Sequence, residues 1–232
     1  MQLFLLIGQS NMAGRGELTE QDRRSVTEEN IFMLDADGHW QPALEPVHYD
    51  NPDLAGIGPG LSFAKAVKPY LRGEPIGLIP CAVGGTKIER WIKGGDLYQN
   101  AVARTLSCME RGSLKGILWA QGESDSKEIS DAKAYPNRLL GFIHDIRQDL
   151  HSPRVPFIAS KLGSFMDPRS YPYTHMIDEA LHEASLTLGS FRLVESSGLT
   201  HKGDFLHYDN TSAKQLGQRM AQAWQELASL SE

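Results

Sequence analysis

Five short, nearly continuous apolar runs, separated by longer amphipathic stretches, constrain this chain more than any other feature. They are Leu3 to Ile7, Ile76 to Ala82, Gly116 to Ala120, Phe157 to Lys161 and Phe191 to Glu195. Runs of this length without polar alternation suit strands that are buried on both faces of a parallel sheet. Between them lie helical patterns at 62–71 (Phe63, Ala66, Val67 and Tyr70 on one face), 97–109 (Ala101, Leu106, Met109), 132–150, 174–188 and 211–230. Pro69 and Pro136 are expected to trim or kink their helices. The exception is 31–45, which reads as a hairpin around Asp37-Gly38 and is expected to decorate the sheet as an insertion. Strands alternating with helices imply right-handed crossovers and an α/β fold, a three-layer α/β/α sandwich over a mostly parallel sheet of five strands.

The chain has 232 residues, no repeat and no Pro/Ser-rich linker, so one domain over 1–232 is expected. The net charge of -6 and the lack of a basic stripe argue against nucleic acid as a partner. Cys81 and Cys108 stand far apart, in no metal-like spacing, which speaks against a disulfide framework and a zinc site; Cys81, in an apolar run, reads as an inert core thiol. No apolar run approaches the ~18 residues that cross a bilayer, so no membrane partner is expected. The opening MQLFLLIG is apolar but lacks a basic leading region and runs directly into motif residues. As the sequence stands the expected location is cytoplasmic, or secreted if a leader was removed from a longer precursor.

In sheets of this kind function gathers where strands end and helices begin. After the first strand comes Gly8-Gln9-Ser10-Asn11-Met12-Ala13-Gly14. A serine there presents its hydroxyl beside free backbone N–H groups, and serves either as a nucleophile or as a helix cap. The second loop, 80–86, carries Gly84-Gly85, which let the backbone approach a ligand, or simply end a strand. The third, 119–125, carries Gln121, whose amide can donate to developing negative charge, and the carboxylates Glu123 and Asp125. Two acids on one loop also admit a glycosidase or metal reading, with loop organisation the plainer one. The fourth is Asp204-Phe205-Leu206-His207. Its three-residue spacing lets an aspartate fix the tautomer of a histidine base, or it is a cap beside a surface histidine. Among the other histidines, His201 is a candidate for the cleft wall.

Taken together and in this order, GQSNMAGRG at 8–16, PCAVGGTKIERW at 80–91, QGESD at 121–125 and DFLHYD at 204–209 resemble the SGNH hydrolase superfamily. The resemblance spans essentially the whole chain. It is nearest to the carbohydrate esterase branch that includes family six acetylxylan esterases and sialate O-acetylesterase-like domains. It implies a flavodoxin-like sheet and a serine esterase that removes acetyl groups from sugar hydroxyls, without a metal or other cofactor. By the same resemblance Ser10 is the nucleophile, and Asp204 and His207 are the acid and base. Ser10, Gly85 (or its neighbour Gly84) and Gln121 form the oxyanion hole, Gln121 standing where many members have asparagine. Gln9, Asn11, Gly84, Trp91 and Glu123 are supporting or substrate-binding candidates, with Glu123 bracing the oxyanion loop. Trp91, Trp40 and Tyr208 are candidate sugar-stacking surfaces, Trp91 foremost.

Three rivals remain at this level. A nucleotide- or flavin-binding domain is suggested by Gly8, Gly14 and Gly16, but there is no Gly-Lys-Ser/Thr, and Gly56-Ile57-Gly58-Pro59-Gly60 misses the dinucleotide fingerprint at Leu61. The second rival is a catalytically silent carbohydrate-binding relative. The third is the same chemistry on a thioester, lipid or peptide-like ester.

Overall fold

A computed structural model describes residues 1–23 and 27–229. Strands β1 (Gln2–Gly8), β2 (Ile31–Leu34), β3 (Trp40–Pro42), β4 (Ile76–Pro80), β5 (Ser113–Ala120), β6 (Phe157–Ser160) and β7 (Phe191–Val194) form one sheet in the order β3-β2-β4-β1-β5-β6-β7. The five apolar runs are β1, β4, β5, β6 and β7, adjacent and parallel. In β1 successive side chains point to opposite faces: Leu3, Leu5 and Ile7 enter one core, Phe4 and Leu6 the other, and all five are fully buried. That double burial is why the run shows no polar alternation.

The helices are α1 (Ser10–Ala13), α2 (Glu20–Arg23), α3 (Gly60–Val67), α4 (Asp96–Met109), α5 (Ile129–Asp149), α6 (Thr174–Thr187) and α7 (Asn210–Ser229). Phe63 and Val67 of α3 join Leu216, Met220 and Trp224 of α7 over one face of the sheet. Ala101 of α4, Phe142 and Ile146 of α5, and Ile177 and Leu181 of α6 cover the other. The fold is the expected α/β/α sandwich, with seven strands rather than five. The segment 31–45 does form a hairpin, but it is part of the sheet rather than a decoration. Ile31 pairs with Ile76 as β2 runs parallel to β4, and β3 closes the edge antiparallel. Burial of Ile31 and Leu34 draws the hairpin onto that edge.

Two predicted faces need correction. Helix α3 ends at Val67, and residues 68–71 tighten into a 3-10 turn containing Pro69, which rotates Tyr70 out to 53% exposure. Leu106 of α4 lies at the edge of its buried stripe and is also partly exposed. Pro136 lies inside α5 without ending it. Leu230, included in the last predicted helix, falls outside the described residues.

The strand order reverses at β1, between β4 and β5, so three loops leave neighbouring strand ends at one point. The chain turns sharply there. Gly8 has φ +127°, and a Cβ on it would lie 2.1 Å from the Ala120 carbonyl oxygen. The other glycines of the nucleotide rival have a structural explanation. Gly16 and Ile57 exchange backbone hydrogen bonds (3.0 and 2.8 Å), and the Gly56 N–H donates to the Gly14 carbonyl, so two backbones approach without side chains between them.

Candidate active site

Ser10 opens α1 at the end of β1 and is 5% exposed. Its Oγ lies 3.0 Å from His207 Nε2, and His207 Nδ1 lies 2.7 Å from Asp204 Oδ2. With Asp204 ionised, Nδ1 carries the proton, so Nε2 accepts from the Ser10 hydroxyl. Asp204 also closes its own turn, since Oδ1 accepts the N–H groups of Leu206 (3.0 Å) and His207 (2.8 Å). Burial raises the Asp204 pKa, but the backbone N–H of His207, its ring and the Leu206 N–H outweigh this and hold the carboxyl below its usual value. Burial lowers the His207 pKa, the Asp204 bond and charge oppose it, and the net shift is downward. The imidazole is therefore a free base at neutral pH.

Asn11 joins this fourth loop to the first. Its Nδ2 donates to Glu123 Oε1 (2.6 Å) and to the Leu206 carbonyl (3.1 Å), and its Oδ1 accepts the Tyr208 N–H (3.2 Å). Both chain neighbours of His207 are thus held by the residue next to Ser10. Glu123 is 2% exposed, its Oε2 has no partner, and burial foremost pushes its pKa up to about 7. Its side-chain hydrogen bond, among the described residues, is with the Asn11 tie.

Gln9 and Gln121 organise the third loop. Gln9 Oε1 faces the N–H groups of Ser124 (3.3 Å) and Gly122 (3.4 Å). Gln121 Nε2 lies 2.5 Å from Asp125 Oδ2, 3.0 Å from the Thr86 carbonyl and 3.4 Å from Gln9 Oε1. Reversing the amide would set its oxygen against these three acceptors, so this orientation is the favoured one, and it leaves the buried Oε1 without a partner among the described residues. Its two hydrogens are therefore engaged, and the expectation that Gln121 offers a donor to an oxyanion is not met by this geometry. Asp125, fully buried, also accepts the Ile88 N–H (3.0 Å), and burial raises its pKa to about 6.

The two glycines of the second loop separate. The Gly84 N–H donates to Asp50 Oδ2 (2.8 Å). Gly85 has φ +71°, open space where a Cβ would stand, and an N–H without a protein acceptor among the described residues. Gly85, not Gly84, is left with a free donor. Asp50 also pairs with Arg15 (Nη2 to Oδ2, 2.6 Å), both side chains being at most 4% exposed. Burial works against the Asp50 charge, but Arg15 and the Gly84 N–H hold its carboxyl below the usual range. Arg15 and Asp50 escaped sequence reasoning. Arg15 lies inside the first motif, but nothing local marks Asp50, 34 positions before its Gly84 partner.

The aromatic candidates fare differently from expectation. Trp91 is fully buried, its indole N–H donates to Thr86 Oγ1 (3.2 Å), and its ring meets Trp119 edge-on, so it supports the second loop and cannot touch a substrate. Tyr208 is buried against Phe165. Trp40 sits on the outermost strand and packs onto the core beside Gly77. Cys81 is buried and its thiol pushed up to about 12. Among the described residues no group of three or more His, Cys, Asp or Glu is arranged to hold a metal ion, and no helix is long and apolar enough to cross a membrane.

Comparison with known proteins identifies the family and the fold. A family model described as carbohydrate esterase, sialic acid-specific acetylesterase, matches residues 1–226. A protein of Arabidopsis thaliana named as a probable carbohydrate esterase is 37% identical over 240 residues, covering 96% of this chain and 90% of the relative. An X-ray structure of an Arabidopsis thaliana protein superposes with a TM-score of 0.86 at 37% identity, covering 97% and 98% of the two chains. The structure of NanS shares the fold at 18% identity (TM-score 0.83, covering 98% and 97%). So does that of a carbohydrate acetylesterase from Xanthomonas citri at 19% (TM-score 0.75, covering 98% and 56%). The chain belongs to the carbohydrate esterase family described as sialic acid-specific acetylesterase.

Proposed function

We propose that this chain hydrolyses acetyl esters of carbohydrate hydroxyls through an acyl-serine at Ser10. The observation that carries the reading is the continuous line Ser10 Oγ–His207 Nε2 (3.0 Å) and His207 Nδ1–Asp204 (2.7 Å) at the switch point of the sheet. His207 takes the Ser10 proton as Oγ attacks the ester carbonyl, then delivers it to the departing sugar oxygen. Water repeats the sequence on the acyl-serine and releases acetate. The backbone N–H groups of Ser10 and Gly85 hold the oxyanion. Gln121 acts behind them, fixing the Thr86 end of the second loop through its carbonyl. Acetyl is the acyl group that the family membership favours, and the alcohol is an acetylated sugar such as an acetylxylan fragment or an O-acetylated sialic acid. Nothing in this chemistry requires a cofactor, and the partner is a small substrate rather than a nucleic acid or membrane.

Hydrolysis of 4-nitrophenyl acetate, butyrate and octanoate by the wild type and Ser10→Ala tests this. Activity that falls with chain length and disappears in the variant is expected. Activity rising with chain length removes the acetyl assignment, and activity that survives Ser10→Ala removes the nucleophile.

A further inference from the structure

Phe205 stands between Asp204 and His207, and two of its features are unfavourable on their own. Its backbone is left-handed (φ +55°), and its side chain is 55% exposed. The backbone conformation belongs to the turn, in which Asp204 Oδ1 gathers the N–H groups of Leu206 and His207. Glycine or asparagine would adopt it with least strain. The other non-glycine residues with positive φ among those described are Asn30, Arg72, His151 and Ser190, none of them apolar. Leu54, Tyr70 and Leu186 are about as exposed or more so, but they have ordinary backbones. Only at Phe205, among the described residues, do a strained backbone and an exposed apolar ring coincide, and they do so within two positions of the histidine that meets Ser10.

The ring is also held. It lies 4.2 Å from the His201 ring, tilted by 32°. His201 Nδ1 accepts the N–H groups of Gly203 (3.0 Å) and Phe205 (3.2 Å), which ties the ring and the turn together. Beneath, Phe165 meets His201 at 5.3 Å and stands edge-on to buried Tyr208 at 5.2 Å. A column of rings thus runs from the core to an exposed outer member two positions before His207 in the chain. One face of Phe205 is covered by His201, and its exposure belongs to the remainder of the ring.

We propose that Phe205 is a specificity-determining residue whose exposed ring stacks on the sugar of the acetylated substrate. Pyranose rings carry a face of C–H groups that packs on an aromatic face, and an ordered ring loses little freedom on contact. Such a contact recognises the alcohol half of the ester, which 4-nitrophenyl acetate replaces with a flat nitroarene. The proposal rests on the carbohydrate esterase reading above.

Steady-state kinetics of Phe205→Ala, Phe205→Gly and Phe205→Tyr test it, with an O-acetylated xylo-oligosaccharide, a 9-O-acetylated sialic acid and 4-nitrophenyl acetate as substrates. In the Ala and Gly variants KM for the sugar ester rises about 3–10-fold relative to KM for the nitrophenyl ester, with kcat for the sugar ester within twofold. Tyr restores the ratio. The Gly variant relieves the backbone strain, so its effect is not one of unfolding. Equal losses on both kinds of substrate would make Phe205 a prop for the His207 turn and overturn the proposal. No change in either overturns it too, as does a wild type that cleaves 4-nitrophenyl acetate but neither sugar ester. A wild type inactive on all three overturns the esterase reading itself.

Discussion

The nucleophile and its base are held in contrasting ways. Ser10 sits where three loops leave adjacent strands, among side chains that scarcely meet solvent: Gln9, Asn11, Gln121, Glu123 and Asp125 are at most 4% exposed. His207 arrives on a loop that follows β7, the strand at the far edge, and its Asp204 partner keeps 35% of its side chain exposed. The sheet holds the nucleophile, whereas the base is delivered by a turn that a few polar contacts must aim. The contrast teaches that the positions most sensitive to small change lie on the tie between the halves, since a misplacement of ~1 Å can cost about 10²-fold in rate.

Asp204→Asn attacks the delivered half most directly. The amide disturbs the tautomer of His207 and removes the charge that steadies the protonated ring, so kcat for 4-nitrophenyl acetate should fall about 10³–10⁴-fold with little change in KM. A loss under tenfold would mean that another group orients His207. Asn11→Ala cuts the tie itself by releasing Leu206 and Tyr208 on either side of the base. A kcat lower by about 10²-fold is expected, with Tm falling only modestly because each bond is worth ~1 kcal/mol. If Asn11→Ala kept full activity, the fourth loop would be aimed by Asp204 alone.

The same contrast decides how much could be read from the sequence. The strands were legible because burial on both faces leaves unbroken apolar runs, as at Leu3 to Ile7. Three of the four loops followed from them, since a loop after a buried strand has a predictable place. That Asp204-x-x-His207 meets Ser10 was carried by the resemblance, because no local pattern brings a loop from the sheet's edge to its centre. Asp50 was invisible for the same reason, its partners lying 34 and 35 positions away. Gln121 and Trp91 are legible as site residues but their tasks are not, since residue type says what a side chain can do and not which neighbours already occupy it: the Gln121 amide hydrogens meet Asp125 and Thr86, and buried Trp91 supports rather than binds. Strands β2 and β3 are legible as a hairpin, but the docking of β2 onto β4 depends on an edge that sequence does not display.

The pH dependence sharpens the comparison. The acid limb of kcat/KM should follow His207 and have its midpoint below the ordinary value of 6.5, because burial outweighs the Asp204 charge. In Asp204→Asn the residual activity should extend to still lower pH, since a charge that favours imidazolium is gone. A wild-type midpoint above 6.5 would mean that the delivered half is more solvated than its geometry implies.

The smallest effect comes from the fixed half, at Glu123, and it is one of stability rather than turnover. Its pKa is raised from 4.5 to about 7 by burial, with Asp125 and Asp178 adding to the rise and the Asn11 bond opposing it. The folded state therefore favours the protonated acid. That contribution is complete below the unfolded value of 4.5 and is lost as pH climbs through about 7. At full ionisation the loss is on the order of 3 kcal/mol. Glu123→Gln keeps an oxygen for Asn11 Nδ2 but cannot ionise, and its amide hydrogens meet the pocket where Oε2 has no partner. That unpaired donor costs about 1–3 kcal/mol at every pH, so the absolute Tm of the variant is not diagnostic. The difference between pH 5 and pH 8 is. Relative to wild type, Glu123→Gln should gain stability between these two values, by about 2–4 °C in Tm per kcal/mol. A parallel shift at both pH values would show that the Glu123 pKa is not raised on folding, and that the fixed half tolerates ionisation as readily as the exposed one.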